Sequence, residues 1–246
     1  MELTVAAGSG KVNNVKHLLS TMTAEDINRQ DNTCGGMTAL HCACLNNQTK
    51  VVKLMLKCKK VDPNHVSKNG NSVLIQSVLN EQLNMVKLLV ANEQIDINHA
   101  GEGYNTALHF AIKTRNIKIV KILLSSPNIN ILLVNSHGQQ AFYDICNPAD
   151  TKLLKAFLSI KRVPMSWRDS NYNTILHIAY RDGDLAVIKE MRKYYSLAFV
   201  RDCYNVNKYG LTPTDIARLD SKLDLTYYAK QPISNMWTNL TSTLFN

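Results

Sequence analysis

The sequence has little of the residue types that mark several classes of protein. Its 246 residues include only six cysteines, six prolines and ten glycines, too few for a disulfide scaffold, a collagen-like chain or a linker. No apolar run approaches the roughly 18 residues of a membrane-spanning helix. The first residues, Met1 to Val5, lack the basic and apolar regions of a signal peptide. We therefore expect a reduced, soluble, cytoplasmic protein.

Acidic residues are also scarce. The chain has 28 Lys and Arg against 19 Asp and Glu, a formal net charge of +9. This balance favours encounters with anionic partners but does not indicate a fold. Because 45% of the residues are hydrophobic, the chain can bury a core and is not a disordered segment.

A repeated motif dominates the sequence. Thr38-Ala39-Leu40-His41 recurs as Thr106-Ala107-Leu108-His109 and as Thr174-Ile175-Leu176-His177, in equal steps of 68 residues. Weaker copies at Ser72-Val73-Leu74-Ile75 and Gln140-Ala141-Phe142-Tyr143 halve the period to 34. Each copy is followed by a second apolar segment and then by a polar stretch with Gly or Asn. The pattern predicts two helices and a tight turn in each period, with the motif threonines Thr38, Thr106 and Thr174 at helix starts.

The chain resembles the ankyrin repeat family over roughly residues 2–228. The resemblance rests on Thr-x-Leu-His-x-Ala, on Val-Val-Lys-Leu, and on segments such as Val61-Asp62-Pro63-Asn64. It implies an all-α solenoid of about seven helix-turn-helix units with short β-hairpin fingers. The array is expected to be continuous over 1–228, with units that start near residues 2, 36, 70, 104, 138, 172 and 210.

The resemblance further implies that the histidine of the motif ties neighbouring units by hydrogen bonds. This role is expected for His41, His109 and His177, and is in question where Ile75 and Tyr143 replace the histidine.

The array departs from its pattern toward the C-terminus. Repeat five is degenerate and has Asn147-Pro148 between its helices, while repeat six has Glu190 and Arg192 at apolar positions. We expect a looser joint between units six and seven; the alternative is that Tyr194, Tyr195, Leu197 and Phe199 repack the same core. The tail, 229–246, is expected to form a capping helix from Ser234 onward, with a docking segment or a linker as alternatives.

No catalytic, cofactor or metal site is predicted. Cys34, His41, Cys42 and Cys44 lie close in sequence, but Cys42 and Cys44 would point about 200° apart on a helix and cannot share one ion. They are interpreted as buried thiols. No P-loop, nucleophile elbow, dinucleotide fingerprint or HExxH motif is present.

A column of lysines occupies one position in successive repeats. We interpret it as a solvated outer face, and an electrostatic dock for acidic protein, nucleic acid or anionic membrane is the less favoured reading. The column comprises Lys16, Lys53, Lys87, Lys121, Lys155 and Lys189.

In the family, hairpin tips and first-helix ends form a concave surface that binds proteins, and this surface is the predicted site. Tyr104 and Tyr172 replace the usual hairpin glycine, either as interface anchors or as local packing. The predicted function is non-catalytic binding of another protein by a monomer. The alternative is a recruiting part of a larger enzyme or of a secreted effector acting on host proteins. The predicted contact residues are Lys68, Asn71, Glu102, Tyr104, Asn105, Lys113, His137, Asn171, Tyr172, Arg181 and Asp182.

Overall fold

The computed structural model describes residues 2–145, 151–158, 168, 171–183, 185–194 and 203–219. The chain divides into two compact units, Met1–Asp144 and Ile145–Asn246. One continuous array over both units remains a prediction. The expected tail helix and the Asn147-Pro148 break lie outside the described residues.

Helix pairs separated by tight hairpins build the first unit. The first helices pack in a row, α1 on α4, α4 on α6 and α6 on α8, while α2 packs on α5 and α7 on α9. The predicted pair of helices per period is therefore confirmed in this unit. Its helices are α1 (Glu2–Gly8), α2 (Val12–Thr21), the single-turn α3 (Ala24–Ile27), α4 (Ala39–Leu45), α5 (Thr49–Leu56), α6 (Val73–Leu79), α7 (Leu83–Val90), α8 (Ala107–Lys113) and α9 (Ile117–Ser125).

The core of the first unit lies between these two layers of helices. The motif leucines Leu40, Leu74 and Leu108 are each 1% exposed. Their counterparts in the second helices, such as Val52 and Val86, are fully buried. One helix pair cannot cover its own apolar face, so neighbouring pairs must stack to remove these side chains from water.

The motif threonines begin the first helices, as predicted. The Thr38 hydroxyl accepts from the His41 N–H at 3.4 Å, and the His41 ring nitrogen Nδ1 lies 3.4 Å from the Thr38 N–H. The same reciprocal cap is present at Thr106 with His109 and at Thr174 with His177. Caps of this kind stabilise a helix by about 1 kcal/mol each, which fixes where these three pairs start.

The predicted histidine ties are confirmed. Each imidazole Nε2 bonds a backbone carbonyl of the next repeat: His41 to Asn71 at 3.2 Å, His109 to Gln139 at 3.0 Å, and His177 to Leu211 at 3.0 Å. Burial lowers the pKa of His41 to about 4, so the ring is neutral at pH 7 and can donate through one nitrogen and accept through the other.

The third repeat, which lacks the motif histidine, contains another histidine that contacts a neighbouring hairpin. His99 Nε2 lies 2.7 Å from the carbonyl oxygen of Gly70, at the tip of the preceding hairpin. Ile75, which stands in the motif position, is fully buried instead. The third repeat therefore has a histidine contact with the preceding hairpin in addition to its buried isoleucine, and the repeat motif does not predict this contact.

Asparagine side chains form a second ladder along the first unit. Asn28, Asn64 and Asn98 each donate to a carbonyl and accept from an N–H of the next repeat, at 2.7 to 2.8 Å. Leu132 takes the corresponding place in the following repeat, and its side chain cannot make these bonds. The ladder therefore ends there, and the exposed fraction of Leu132 is 49%.

The second unit has the same local architecture. Within it α10 packs on α12, and α11 packs on both α12 and α13. Glu190 in α12 pairs with Lys155 in α10 at 3.2 Å, which gives the polar residue at an apolar position a partner. The predicted looser joint stays a prediction. The helices are α10 (Thr151–Leu158), α11 (Ile175–Asp182), α12 (Leu185–Tyr194) and α13 (Pro213–Leu219).

The fold class predicted from the sequence is confirmed. The thirteen α-helices of the described residues correspond to about seven helix-turn-helix units, and the hairpins carry isolated β-bridges such as Val66 with Ser72 and Ala100 with Thr106.

Candidate protein-binding surface

The hairpins between helix pairs each turn through a residue with positive φ. Gly70, Gly138 and Gly210 take this place in three hairpins, with φ of 69° to 73°. Tyr104 and Tyr172 take it in two others, both with φ of 58°. The left-handed conformation costs a residue with a Cβ about 1–2 kcal/mol, and glycine is free of that cost. The two tyrosines therefore hold backbone strain that glycine would relieve.

Both tyrosines project into solvent. The exposed fraction is 67% for Tyr104 and 59% for Tyr172. A ring that packed locally to support its hairpin would be more buried, so this exposure favours the interface-anchor interpretation over local packing. Each hairpin instead presents a large aromatic side chain on a short, hydrogen-bonded turn.

Hydrogen bonds between neighbouring hairpins hold the tips of the first unit. The Lys68 N–H donates to the Gly35 carbonyl at 2.9 Å, and the Ser136 N–H donates to the Gly103 carbonyl at 2.8 Å. The Glu102 N–H donates to the Asn71 side-chain oxygen at 3.2 Å. The exposed side chains of Lys68, Glu102 and His137 are thus presented from a fixed backbone.

Two predicted contact residues hold the hairpins rather than project from them. Asn71 is only 5% exposed, and its amide oxygen is used by Glu102. Asn105 donates to the Glu102 carbonyl at 2.9 Å and accepts from Asn135 at 3.3 Å. Their polar atoms are thus engaged within the array, and a partner would meet mainly the residues they position.

The last turns of the first helices form the other half of this surface. Leu45 and Leu79 occupy equivalent positions in α4 and α6 and are 38% and 37% exposed. Lys113 takes the same position in α8 and is exposed. Because α4, α6 and α8 pack side by side, the three side chains form a row from apolar to basic. We call the hairpin tips together with this row the finger surface.

A half-buried carboxyl lies near the basic end of the finger surface. Burial raises the pKa of Asp144, while the neighbouring basic side chains, among them Lys113 and Arg115, oppose the rise. Arg115 was not among the predicted contact residues. It is exposed and has φ of 55°, in the turn after α8. Its place beside Lys113 makes this end of the surface basic.

In the second unit, the predicted residues Asn171, Tyr172 and Arg181 are described. Tyr172 and Arg181 are exposed, and the Asn171 carbonyl accepts from the Lys208 N–H at 2.9 Å. Asp182 is the last residue of α11, and its side chain lies outside the described part of the structure.

Two of the three clustered cysteines have the surroundings of structural thiols, whereas Cys34 is exposed and its predicted burial is wrong. Cys42 and Cys44 are buried in α4, and burial raises their pKa to about 11 and about 12. Both thiols are therefore protonated at pH 7 and are poor metal ligands or nucleophiles. Among the described residues, no helix is long and apolar enough to cross a bilayer.

Comparisons with known proteins agree with this architecture. The family model described as ankyrin repeats (3 copies) matches residues 3–100 and 59–135. The chain belongs to the ankyrin repeat family, whose members generally serve as protein–protein interaction modules and are typically non-catalytic. No curated protein matches the sequence.

Two solved structures show the same fold at low sequence identity. The ankyrin repeat domain of Bcl-3, described as a unique member of the IkappaB protein family, is 18% identical with a TM-score of 0.79. The match covers 91% of this chain and 96% of that domain. The ankyrin repeat protein EF0377 is 20% identical with a TM-score of 0.67, over 78% of this chain and 96% of that protein.

Proposed function

We propose that this chain is a non-catalytic module that binds another protein on its finger surface, the concave face of the family. The observation that carries the proposal is the pair of exposed tyrosines in left-handed backbone conformation, Tyr104 and Tyr172. A left-handed residue whose large ring projects into water gains little from burial within the chain, and we infer that its benefit lies in contacts outside the chain. Tyrosine is also among the residues that dominate binding energy in interfaces.

The surroundings of Tyr104 indicate what its partner carries. Leu45 and Leu79 offer partly exposed apolar surface, whereas Lys113 offers a positive charge at the end of the same row. A complementary segment would place apolar side chains against the two leucines and a carboxylate near Lys113. Lys68, Glu102 and His137 would form the polar rim, and Asn71 and Asn105 would keep the hairpins in place.

Within the second unit, Tyr172 would be the anchor of a corresponding contact. Asn171 holds the hairpin that presents it, and Arg181 with Asp182 ends the first helix of that repeat.

The same proposal includes a cytoplasmic monomer without a cofactor. The five cysteines within the described residues are free thiols, which suits a reducing compartment. Sedimentation equilibrium of the purified chain would test the monomer, and a mass of twice 27.6 kDa would contradict it.

Affinity capture from lysate with quantitative mass spectrometry tests the proposed surface. The bait would be the wild type, Tyr104→Ala, or the control Tyr204→Ala, whose tyrosine is 77% exposed but lies outside the finger surface. We expect one partner to be retained by the wild type and the control and to be lost at least about tenfold with Tyr104→Ala. Equal recovery with all three baits would count against the finger surface. Circular dichroism of each bait confirms that it is folded.

A further inference from the structure

The second helices of the first unit carry positive charge without any acidic residue. Helices α2, α5, α7 and α9 contain no Asp or Glu. Their lysines are all exposed, and together we call them the lysine face: Lys16, Lys50, Lys53, Lys87, Lys118 and Lys121.

The lysine face points away from the core. Lys16, Lys53, Lys87 and Lys121 are exposed, and each directly follows a fully buried valine, so it lies about 100° around its helix from that buried side chain. Lys16 and Lys53 lie on the packed helices α2 and α5, and Lys87 and Lys121 lie on the packed helices α7 and α9; packed helices are about 8–10 Å apart. Lys50 and Lys118 add a second row, one turn earlier in α5 and α9.

Within the described residues of the first unit, none of these lysines forms an ion pair with a carboxylate. Among the residues that the structure describes in the first unit, Arg29 forms an ion pair with Asp26 and the His65 ring lies 3.8 Å from Asp62; neither contact involves α2, α5, α7 or α9. By contrast, Lys155 in the second unit pairs with Glu190. A surface that serves solubility alone usually carries positive and negative side chains interspersed. Charge of a single sign over four helices fits an anionic partner better.

The composition of the lysine face also indicates which kind of anionic partner it fits. The exposed large apolar residues of the first unit lie elsewhere: Val5, Leu45, Leu79, Tyr104, Leu132 and Val134. The face thus lacks the aromatic or apolar anchor that a specific protein interface uses, and the aromatic platform on which single-stranded bases stack. It also has no arginine for bidentate contacts with bases or carboxylates. A fluid lipid surface needs only unpaired positive charge held close to it.

We propose that the lysine face binds the surface of membranes rich in anionic phospholipid, reversibly and without insertion. Clusters of four to eight basic residues are the size that binds such surfaces, and the lysine face has six. Because the finger surface lies on the first helices and the hairpins, this second surface acts independently of the proposed protein binding. A chain with both surfaces would bring its protein partner to a membrane.

Co-sedimentation with lipid vesicles tests the proposal. The vesicles would contain one part phosphatidylserine to two parts phosphatidylcholine, with pure phosphatidylcholine as the neutral comparison. The test variant is Lys53→Glu/Lys87→Glu on the lysine face. The matched control is Lys68→Glu/Lys113→Glu, which changes net charge equally but lies on the finger surface.

The proposal predicts binding to the anionic vesicles only, weakened when salt is raised well above about 0.1 M. The lysine-face variant should bind at least about tenfold more weakly, and the control should bind like the wild type. Equal weakening in both variants would mean that net charge alone is responsible and would overturn the proposal. Tighter binding to a duplex oligonucleotide than to the vesicles, with the same sensitivity to the variants, would assign the face to nucleic acid instead.

Discussion

Replacing Tyr104 with glycine should stabilise the protein and abolish partner binding at the same time. The residue sits at φ of 58°, where the sister hairpins have Gly70 and Gly138. Glycine relieves the strain of the left-handed backbone and also removes the ring. Tyr104→Ala removes the same ring but keeps a Cβ and therefore the strain. Comparing the two variants separates the contribution of the backbone from that of the aromatic side chain.

The difference in the free energy of unfolding between the two variants follows from two opposing effects. The left-handed conformation costs a residue with a Cβ about 1–2 kcal/mol. Glycine relieves this strain, but it also stabilises the unfolded state by about 0.4–1 kcal/mol because it makes the unfolded chain more flexible. The free energy of unfolding of Tyr104→Gly should therefore exceed that of Tyr104→Ala by about 0.5–1 kcal/mol. The alanine variant should lie close to the wild type, because a ring that is 67% exposed contributes little packing.

Urea denaturation followed by circular dichroism measures this difference, and the capture experiment measures binding by the same proteins. A glycine variant no more stable than the alanine variant would show that the hairpin is not strained at Tyr104. A glycine variant that is more stable yet still captures the partner would show that the strain serves some other purpose than this contact.

Three further predictions concern stability, each measured by urea denaturation. Because the pKa of His41 is about 4 in the folded chain and 6.5 without burial, the unfolded chain binds the proton first as pH falls. Stability should therefore decrease from about pH 6.5 toward pH 4, by about 2 kcal/mol between pH 7 and pH 5; a His41→Gln variant with an equally steep pH dependence would contradict this. Asn64→Ala should cost about 1–2 kcal/mol because it removes two bonds to the next repeat, whereas Asn84→Ala, on the exposed side of α7, should cost under about 0.5 kcal/mol. Gly101→Ala should cost about 1–3 kcal/mol, since the new methyl would meet the Asn71 side chain and the Ile75 methyl; an unchanged midpoint would mean that these neighbours move aside easily.

Local features of this fold were predictable because they depend on residues close in sequence. The threonine caps, the helix pairs and the ties from His41, His109 and His177 all follow from a motif that repeats in register. In a repeat protein each unit meets only its neighbours, so a local pattern also determines contacts one repeat away.

Other contacts could not be read from the motif because they depend on where a neighbouring backbone lies. The asparagine ladder joins Asn64 to groups that begin thirty residues later in the chain, and the His99 contact reaches back to Gly70. An Asp-x-Asn spacing recurs at Asp62 to Asn64 and at Asp96 to Asn98. This recurrence was the available signal for the ladder.

The candidate site likewise combines features that the sequence predicts with features that only the folded structure shows. The replacement of a hairpin glycine by Tyr104 was visible in the sequence, but the exposure of its ring was not. Asn71 looked like a contact residue because it lies beside a hairpin tip. Only the position of the Glu102 N–H in the next hairpin shows that its amide is used internally.

Site-specific photo-crosslinking tests the central claim most directly. A photoreactive amino acid would replace Tyr104 or Lys113 on the finger surface, or Lys53 or Lys87 on the lysine face, in otherwise wild-type chains exposed to lysate. The account predicts that one protein is crosslinked from positions 104 and 113 and not from positions 53 and 87. Crosslinking of that protein from positions 53 and 87 alone would contradict it, and would place protein recognition on the outer helices.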